Sequence, residues 1–375
     1  MNQRMTRFAL AAGLLFALCA LLLPVSMGGG RVTDVSVAAE TAPEGLIITT
    51  HGSHWYHFED RWRYPAFEAF ADQLEVVTTV PLDQLLEQYP DVQLEDDERR
   101  WFTYTLDSAL PDSLVFDLRG SSSNFSGLHL NMYVYEPTGP NYMHFDRTYA
   151  RSFHLDQPVG GEYRVQLRAS RESTCTLQIG AGQSPFLTAP LDSYSFLIVP
   201  DIDSLSSREV ETIQQYVQDG GNLVVLAEHI WGPSYYSKSN FAALNQVLPV
   251  CGIEIDDQLL TSTVTIPANQ QIMSVLRDIR PHPVTDAITE VVATGSTLSL
   301  SGVAEGLVFD DTGSPVIAVS HYGKGQCLVL GTAIGFNADF RLDQNDPLAA
   351  NIIDWAKRRL SHRVFLPLAV RQVRE

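Results

Sequence analysis

Apolar positions in the middle of the chain alternate with polar ones in a strand, helix, strand order. Residues 196–200 (FLIVP) and 222–229 (NLVVLAEH) contain unbroken apolar runs, and residues 208–221 (REVETIQQYVQDGG) between them are amphipathic. Short runs without polar interruption suit strands buried on both faces, so the three segments predict one βαβ unit of a parallel sheet. Ser206 or Ser207 can cap the helix, Glu209 and Glu211 complement its positive first turn, and Gly220 and Gly221 supply a left-handed stop. The crossover is expected to be right-handed, and ligands of such sheets bind beyond the carboxyl ends of the strands. Asp201 after the first strand, and Glu228, His229 and Trp231 after the second, stand at that edge.

The same grammar appears earlier. Residues 46–50 (LIITT) predict a strand, 65–74 a helix with Phe67, Phe70, Ala71 and Leu74 on one face, 75–80 a strand and 82–88 a short helix. Between about 95 and 180 the helical period disappears. Six strand-like runs follow at short intervals, separated by Gly, Pro, Ser and Asn, which predicts a small β-sandwich. Tyr163, Val165 and Leu167 alternate with Arg164, Gln166 and Arg168, placing one face inward and one in water. From residue 190 the sheet pattern resumes, so the sandwich is expected as an insertion. Further on, residues 241–248 predict a helix and 253–265 a strand-like segment. A hairpin is expected over 314–330 with its turn at 322–325, then a last helix over 347–360 with Pro347 at its first position.

Composition narrows the function classes. The chain has 375 residues, 45% hydrophobic and 18% charged, long enough for two globular domains. Its formal charge of -19 leaves no basic stripe to displace counterions from phosphates, so nucleic acid is not expected as a partner. Arg4 and Arg7 precede an apolar run over 8–25 and small residues over 26–30, the pattern of an export signal that would remain as a membrane tether if uncleaved. An extracellular or cell-envelope location is expected, either soluble or anchored. Leu18 stands where lipidation of Cys19 would need a small residue. Beyond the signal only Cys175, Cys251 and Cys327 remain, which allows at most one disulfide. Cys175 and Cys327 lie in strand-like runs and are expected as small buried hydrophobes.

Two resemblances follow from particular motifs. Trp101-Phe102 opening a strand, LNMYVYEP (130–137) and GGEYRVQL (160–167) resemble the bacterial pre-peptidase C-terminal domain, a jelly-roll-like module of secreted proteins. Asn131 stands where that family often has aspartate. In some relatives acidic residues before the first strand hold calcium. Glu95, Asp96, Asp97 and Glu98 occupy that place, where a solvated acidic run is the other reading. The motifs LDSYSFLIVP (191–200), residues 205–229, HPVTDAI (282–288), YGKGQCLVLGTAIGF (322–336) and DPLAANIIDWA (346–356) resemble the class I glutamine amidotransferase-like superfamily. Its exported branch and the GIFT-type domains are the nearest forms. Together the resemblances imply an α/β fold: a flavodoxin-like parallel sheet with helices on both faces, plus an inserted all-β jelly-roll-like sandwich. The expected division is a signal or anchor at 1–30, a linker at 31–44, a discontinuous α/β domain at 45–92 and 185–360, the sandwich at 93–184, and a tail at 361–375.

Activity does not follow from the resemblance. In true amidotransferases a cysteine stands on the sharp turn after the strand equivalent to residues 222–229, with a histidine base near the C-terminus. Ala227, Glu228 and His229 occupy that turn here, and residues 331–339 contain no histidine. A second constellation is THGSHWYHFED (50–60), where His51, His54 and His57 are followed by Glu59 and Asp60. Imidazoles and carboxylates at a sheet edge suit a divalent metal, zinc or iron, and His51, His54 and His57 are the metal candidates. Trp55, Tyr56, Trp62, Trp231, Tyr235 and Tyr236 in the same two loops would stack on sugar rings or pack the loops onto the sheet.

The expected function is an exported, non-catalytic binding or interaction module whose ligand is a carbohydrate or a cell-envelope protein. Its expected binding residues are His51, His54, Trp55, His57, Asp201, Glu228, His229 and Trp231. Two alternatives stay open: a metal-dependent hydrolase acting on carbohydrate through His51, His54, His57 and Glu228, and a structural subunit of an envelope or ABC-type complex.

Overall fold

In the computed structural model the described residues are 43–51, 74–77, 79–107, 113–121, 130–137, 142–146, 150–169, 171–200, 202, 204–227, 229–232, 235–238, 240–260, 264–266, 271–332 and 346–358. The expected signal, the C-terminal tail and the helix over 65–74 lie outside them, except that Leu74 opens the strand β2. The strands β1 (Gly45–Ile48) and β2 (Leu74–Val77) pair in parallel. The chain then runs through eight antiparallel strands before returning to the first sheet. These are β3 (Gln84–Leu94), β4 (Arg99–Leu106), β5 (Ser113–Ser121), β6 (Leu130–Tyr135), β7 (Tyr142–Asp146), β8 (Ala150–Asp156), β9 (Gly161–Ala169) and β10 (Ser173–Ala181). A short helix α1 (Pro185–Thr188) leads to β11 (Phe196–Val199), which pairs in parallel with β1. Helix α2 (Ser207–Asp219) crosses to β12 (Asn222–Leu226), parallel to β11, and helices α3 (Phe241–Val247) and α4 (Asp346–Ala356) follow.

Alternation within the apolar runs divides the core of this sheet. Ile47, Phe196, Ile198, Val224 and Leu226 face one side and pack with Leu348, Ile352 and Ile353 of α4. Leu46, Ile48, Leu197, Val199, Leu223 and Val225 face the other and pack with Val210, Ile213 and Val217 of α2 and Leu244 of α3. All six of those inner strand residues are at most 1% exposed, and each such side chain contributes roughly 1.5–3 kcal/mol by leaving water. Among the described residues no helix is long and apolar enough to cross a membrane.

The flavodoxin-like expectation is overturned by the sheet itself. Its eight strands lie side by side in the order Asp278–Ile279, Glu305–Phe309, Pro315–Tyr322, Gly325–Leu330, β12, β11, β1, β2. Gly325–Leu330 is parallel to β12, but the three pairings beyond it are antiparallel. The hairpin turn explains the change: a connection as short as 323–324 can only reverse the chain, whereas a parallel neighbour needs a crossover of a dozen residues or more. Gly323, at φ 60°, makes that turn, and an added Cβ would lie 2.5 Å from the Gln218 carbonyl. Small antiparallel ladders, Ile253–Leu259 with Ser296–Leu300 and Gln271–Leu276 with Val291–Ala293, supply core residues where a doubly wound fold has helices. Strand therefore outweighs helix.

The segment 82–88 is also corrected. Its residues 84–88 belong to β3, whose Leu85 is 49% exposed and opposite Gly180 of β10. Ladder hydrogen bonds to β10 override the local helical pattern. Pro90 is tolerated because β3 is an edge strand, and the register slips beside it, with Asp91 at φ 51°. The sandwich comprises two four-stranded sheets, β3-β10-β5-β8 and β4-β9-β6-β7, closed on Phe116, Phe153, Tyr163, Val165 and Leu177. Cys175 sits in that core as expected, its thiol pushed up to about 11 by burial.

Cys327 is not a free thiol. It is bonded to Cys251, 76 residues away in sequence, across the face that carries α2 and α3. Closing a loop of that length restricts the unfolded chain by about 4 kcal/mol at 25 °C. Denaturant unfolding of Cys251→Ala/Cys327→Ala should show a loss of that order, and added reductant should reproduce it in the natural chain. Helix α2 begins with a full capping box: the Ser206 hydroxyl accepts from the Glu209 N–H at 3.3 Å and the Ser206 N–H donates to Glu209 Oε2 at 2.8 Å. Ser206→Ala should cost about 1 kcal/mol in the same assay.

Candidate functional site

The sequence placed a site just beyond the first strand, and His51 is there, after Thr49 and Thr50. It is not in an open loop. At 1% exposure it lies between the sheet and the sandwich, its ring 4.9 Å from Phe186 and 5.3 Å from His154 between centroids. His51 Nε2 donates to Glu209 Oε1 at 2.7 Å, and Thr50 Oγ1 lies 3.1 Å from its Nδ1. His154 Nδ1 is 3.6 Å from the same Glu209 oxygen. Three separate elements thus converge on one carboxylate: the end of β1, the first turn of α2, and β8 of the sandwich.

Backbone contacts fix this convergence. The His154 N–H donates to the Thr50 carbonyl at 3.0 Å, tying β8 to the strand end. Two residues earlier on β8, Ser152 Oγ accepts from the Val80 N–H at 2.8 Å and donates to buried Asp117 at 2.8 Å. Asp117 also accepts from Arg119 Nε at 2.6 Å. Two residues later, Asp156 faces Arg208 of α2 at 3.8 Å. Ser152, His154 and Asp156 therefore form one polar row of β8, turned to the seam.

Burial governs the electrostatics. Burial alone would raise the Glu209 carboxyl, but the charge and hydrogen bond of His51, the Ser184 hydroxyl and the Ser206 N–H together hold it well below the carboxylate range. Burial pushes His154 down to about 3, and His51 adds to this while Glu209 and the Gly182 backbone oppose it. Gly182 lies outside hydrogen-bonding geometry, and neither ring nitrogen of His154 has a hydrogen-bond partner among the described residues. His51, His154 and Glu209 can bring one ligand atom each within 4.8 Å of the others.

His54, Trp55, His57, Asp201 and Glu228 lie outside the described residues, as do Tyr56, Glu59, Asp60 and Trp62. His229 and Trp231 belong to a two-stranded ladder, His229–Gly232 with Tyr235–Lys238, described for its backbone. The acidic run before β4 forms a turn: Glu98 accepts from the Glu95 N–H at 2.8 Å and from Arg100 at 2.7 Å, which holds its carboxyl below the usual range. Sequence reasoning missed His154 altogether and read Glu209 only as a helix-start residue.

It also missed a second surface, on the outer face of the β4-β9-β6-β7 sheet. Register places Trp101 beside Gln166 and Gln166 beside Tyr133; the adjacent row is Thr103, Arg164, Tyr135, and the next Arg99, Arg168, Asn131. Trp101 is 49% exposed and packs against Tyr135 at 5.2 Å between centroids. The Arg164 guanidinium sits 5.9 Å from the Trp101 centroid and 5.5 Å from that of Tyr135, within cation–π range of both. Arg168 lies 3.6 Å from Asp97. The alternation of Arg164, Gln166 and Arg168 was legible in the sequence; their juxtaposition with Trp101 and Tyr135 needed the strand pairing.

No family model matches the chain. Among solved structures it is similar to a β-galactosidase from Rahnella sp. R3, at 19% identity and a TM-score of 0.32 over 46% of this chain and 24% of that one. A ThuA-like protein from Bacteroides uniformis ATCC 8492 is similar at 16% identity and a TM-score of 0.30, over 46% of this chain and 75% of that one. PliG, a periplasmic inhibitor of g-type lysozyme from Aeromonas hydrophila, is similar at 14% identity and a TM-score of 0.20, over 28% of this chain and 95% of that one. The chain spans about a quarter of the length of the β-galactosidase it matches. At TM-scores this low the likenesses establish neither fold nor function for this chain.

Proposed function

We propose that the protein is an exported, non-catalytic carbohydrate-binding module whose ligand lies on the outer β4-β9-β6 face of the sandwich. The observation that carries this reading is exposed Trp101, held against Tyr135 with Arg164 over both rings. A pyranose offers a face of C–H groups that packs on an indole, with a rim of hydroxyls that needs planar donors and acceptors around it. Exposed Thr103 and Arg164 in the neighbouring register positions supply such groups, whereas Gln166 of the same face is buried at 8% exposure and the Asn131 oxygen is also buried. Because the two rings and the guanidinium already brace one another, little side-chain freedom is left to lose on binding.

Charge refines the ligand class. In a chain of formal charge -19, Arg99, Arg164 and Arg168 occupy one outward face, with Asp97 paired to Arg168 and Glu162 at the far end. Guanidinium groups bind carboxylate and sulfate as two-pronged donors, so an acidic glycan fits better than a neutral one. The non-catalytic part of the reading is supported by buried Ala227 at the turn after β12, where an acyl-transfer nucleophile would stand. Of the hydrolase alternative's residues, His51 is buried at 1% exposure, which removes it from contact with a substrate; His54, His57 and Glu228 lie outside the described residues.

Affinity electrophoresis or calorimetry against polygalacturonate and neutral galactan tests the proposal. Polygalacturonate should bind more tightly, and the difference should shrink as salt rises. Trp101→Ala should weaken binding by about tenfold or more, equivalent to roughly 1.4 kcal/mol. Arg164→Ala should remove the preference for the acidic polymer. Equal binding by natural chain and Trp101→Ala, or no glycan binding by the folded chain, would sink the idea.

A further inference from the structure

We propose that His51, His154 and Glu209 form a buried site for a divalent cation of the zinc class, which fastens the sandwich to the α/β sheet. The donor set points to the class of ion. Two imidazoles and one carboxylate suit zinc or a neighbouring first-row metal, whereas calcium takes six to eight oxygens. The spacing fits as well. Ligand pairs now stand 2.7 Å (His51 Nε2 to Glu209 Oε1) and 3.6 Å (His154 Nδ1 to Glu209 Oε1) apart, and none exceeds 4.8 Å. Ligands of a tetrahedral zinc with bonds of about 2.0–2.1 Å are separated by roughly 3.3 Å, within that spread.

The second, independent observation is His154. Its side chain is 0% exposed, it borders the cluster, and both ring nitrogens lack a hydrogen-bond partner among the described residues. A buried imidazole without a hydrogen bond is costly, and coordination satisfies it. The surroundings are those of oriented ligands. Thr50 Oγ1 at His51 Nδ1 sets which nitrogen faces inward, and the Ser206 N–H holds Glu209 Oε2 so that Oε1 is the oxygen presented. On binding, the ion replaces the proton that Nε2 shares with Glu209, and that proton leaves to solvent. The set shares His51 with the metal candidates read from the sequence and replaces His54 and His57 by residues distant in the chain.

The test uses the full chain stripped of metal and titrated with zinc chloride by calorimetry, and with cobalt chloride by visible absorption. One equivalent of zinc with submicromolar affinity, a cobalt spectrum of tetrahedral intensity, and a zinc-dependent rise in melting temperature are expected. His154→Gln and Glu209→Gln should each lose at least a hundredfold in affinity, while His54→Ala/His57→Ala should bind as the natural chain does. Failure of the natural, cooperatively unfolding chain to bind one equivalent overturns the proposal, as does retention of tight zinc by His154→Gln. Loss of binding in His54→Ala/His57→Ala with retention in Glu209→Gln would place the metal elsewhere and equally overturn it. If the two seam variants do not fold, the cobalt spectrum and thermal shift of the natural chain decide alone.

Discussion

A carboxylate with 1% exposure must be satisfied from within the protein, and Glu209 is satisfied by three parts of the chain at once. It closes the capping box of α2, accepts from His51 at the end of β1, and receives the Ser184 hydroxyl that also caps α1. Its position in the first turn adds the favourable end of the helix dipole. Helix start, strand end and the return from the sandwich are therefore fixed relative to one group. Moving any of them by one residue would leave charge buried without partners, so the polar seam specifies the arrangement that the apolar core merely permits.

The two sheets of the sandwich have opposite fates because of that seam. The β3-β10-β5-β8 sheet turns Ser152, His154 and Asp117 toward the α/β sheet, where they are completely buried. The β4-β9-β6-β7 sheet turns its outer face to water, and there exposed Trp101 and Arg164 stand with Tyr135, while Gln166 of the same face is buried. One face holds the molecule together and the other exposes Trp101 to solvent. The disulfide between Cys251 and Cys327 acts on neither; it secures the α2 and α3 side of the main sheet.

Much of the local structure was legible. The run Phe196 to Val199, the Ser206 cap with Glu209 three residues on, and the Gly220 stop at φ 119° follow from rules that act within one turn or one strand. The hairpin ending at Gly325 was equally local. The segment 82–88 was not, because pairing with β10, distant in sequence, decided between helix and strand. Nor was the direction of the sheet's far half, since an apolar strand looks the same whether its neighbour runs with it or against it.

The site shows the same division. The sequence by itself determined that His51 lies just beyond a strand, that Glu209 stands in the first turn of a helix, and that Arg164, Gln166 and Arg168 share one strand face, because these depend on periodicity and caps. Only the tertiary structure decided that the polar row Ser152, His154, Asp156 faces a protein seam and not water. An alternating strand specifies two faces but not what covers each, and that depends on contacts distant in sequence, such as Val80 with Ser152 and Thr50 with His154. The same reason hid the partnership of His51 with Glu209, 158 residues away.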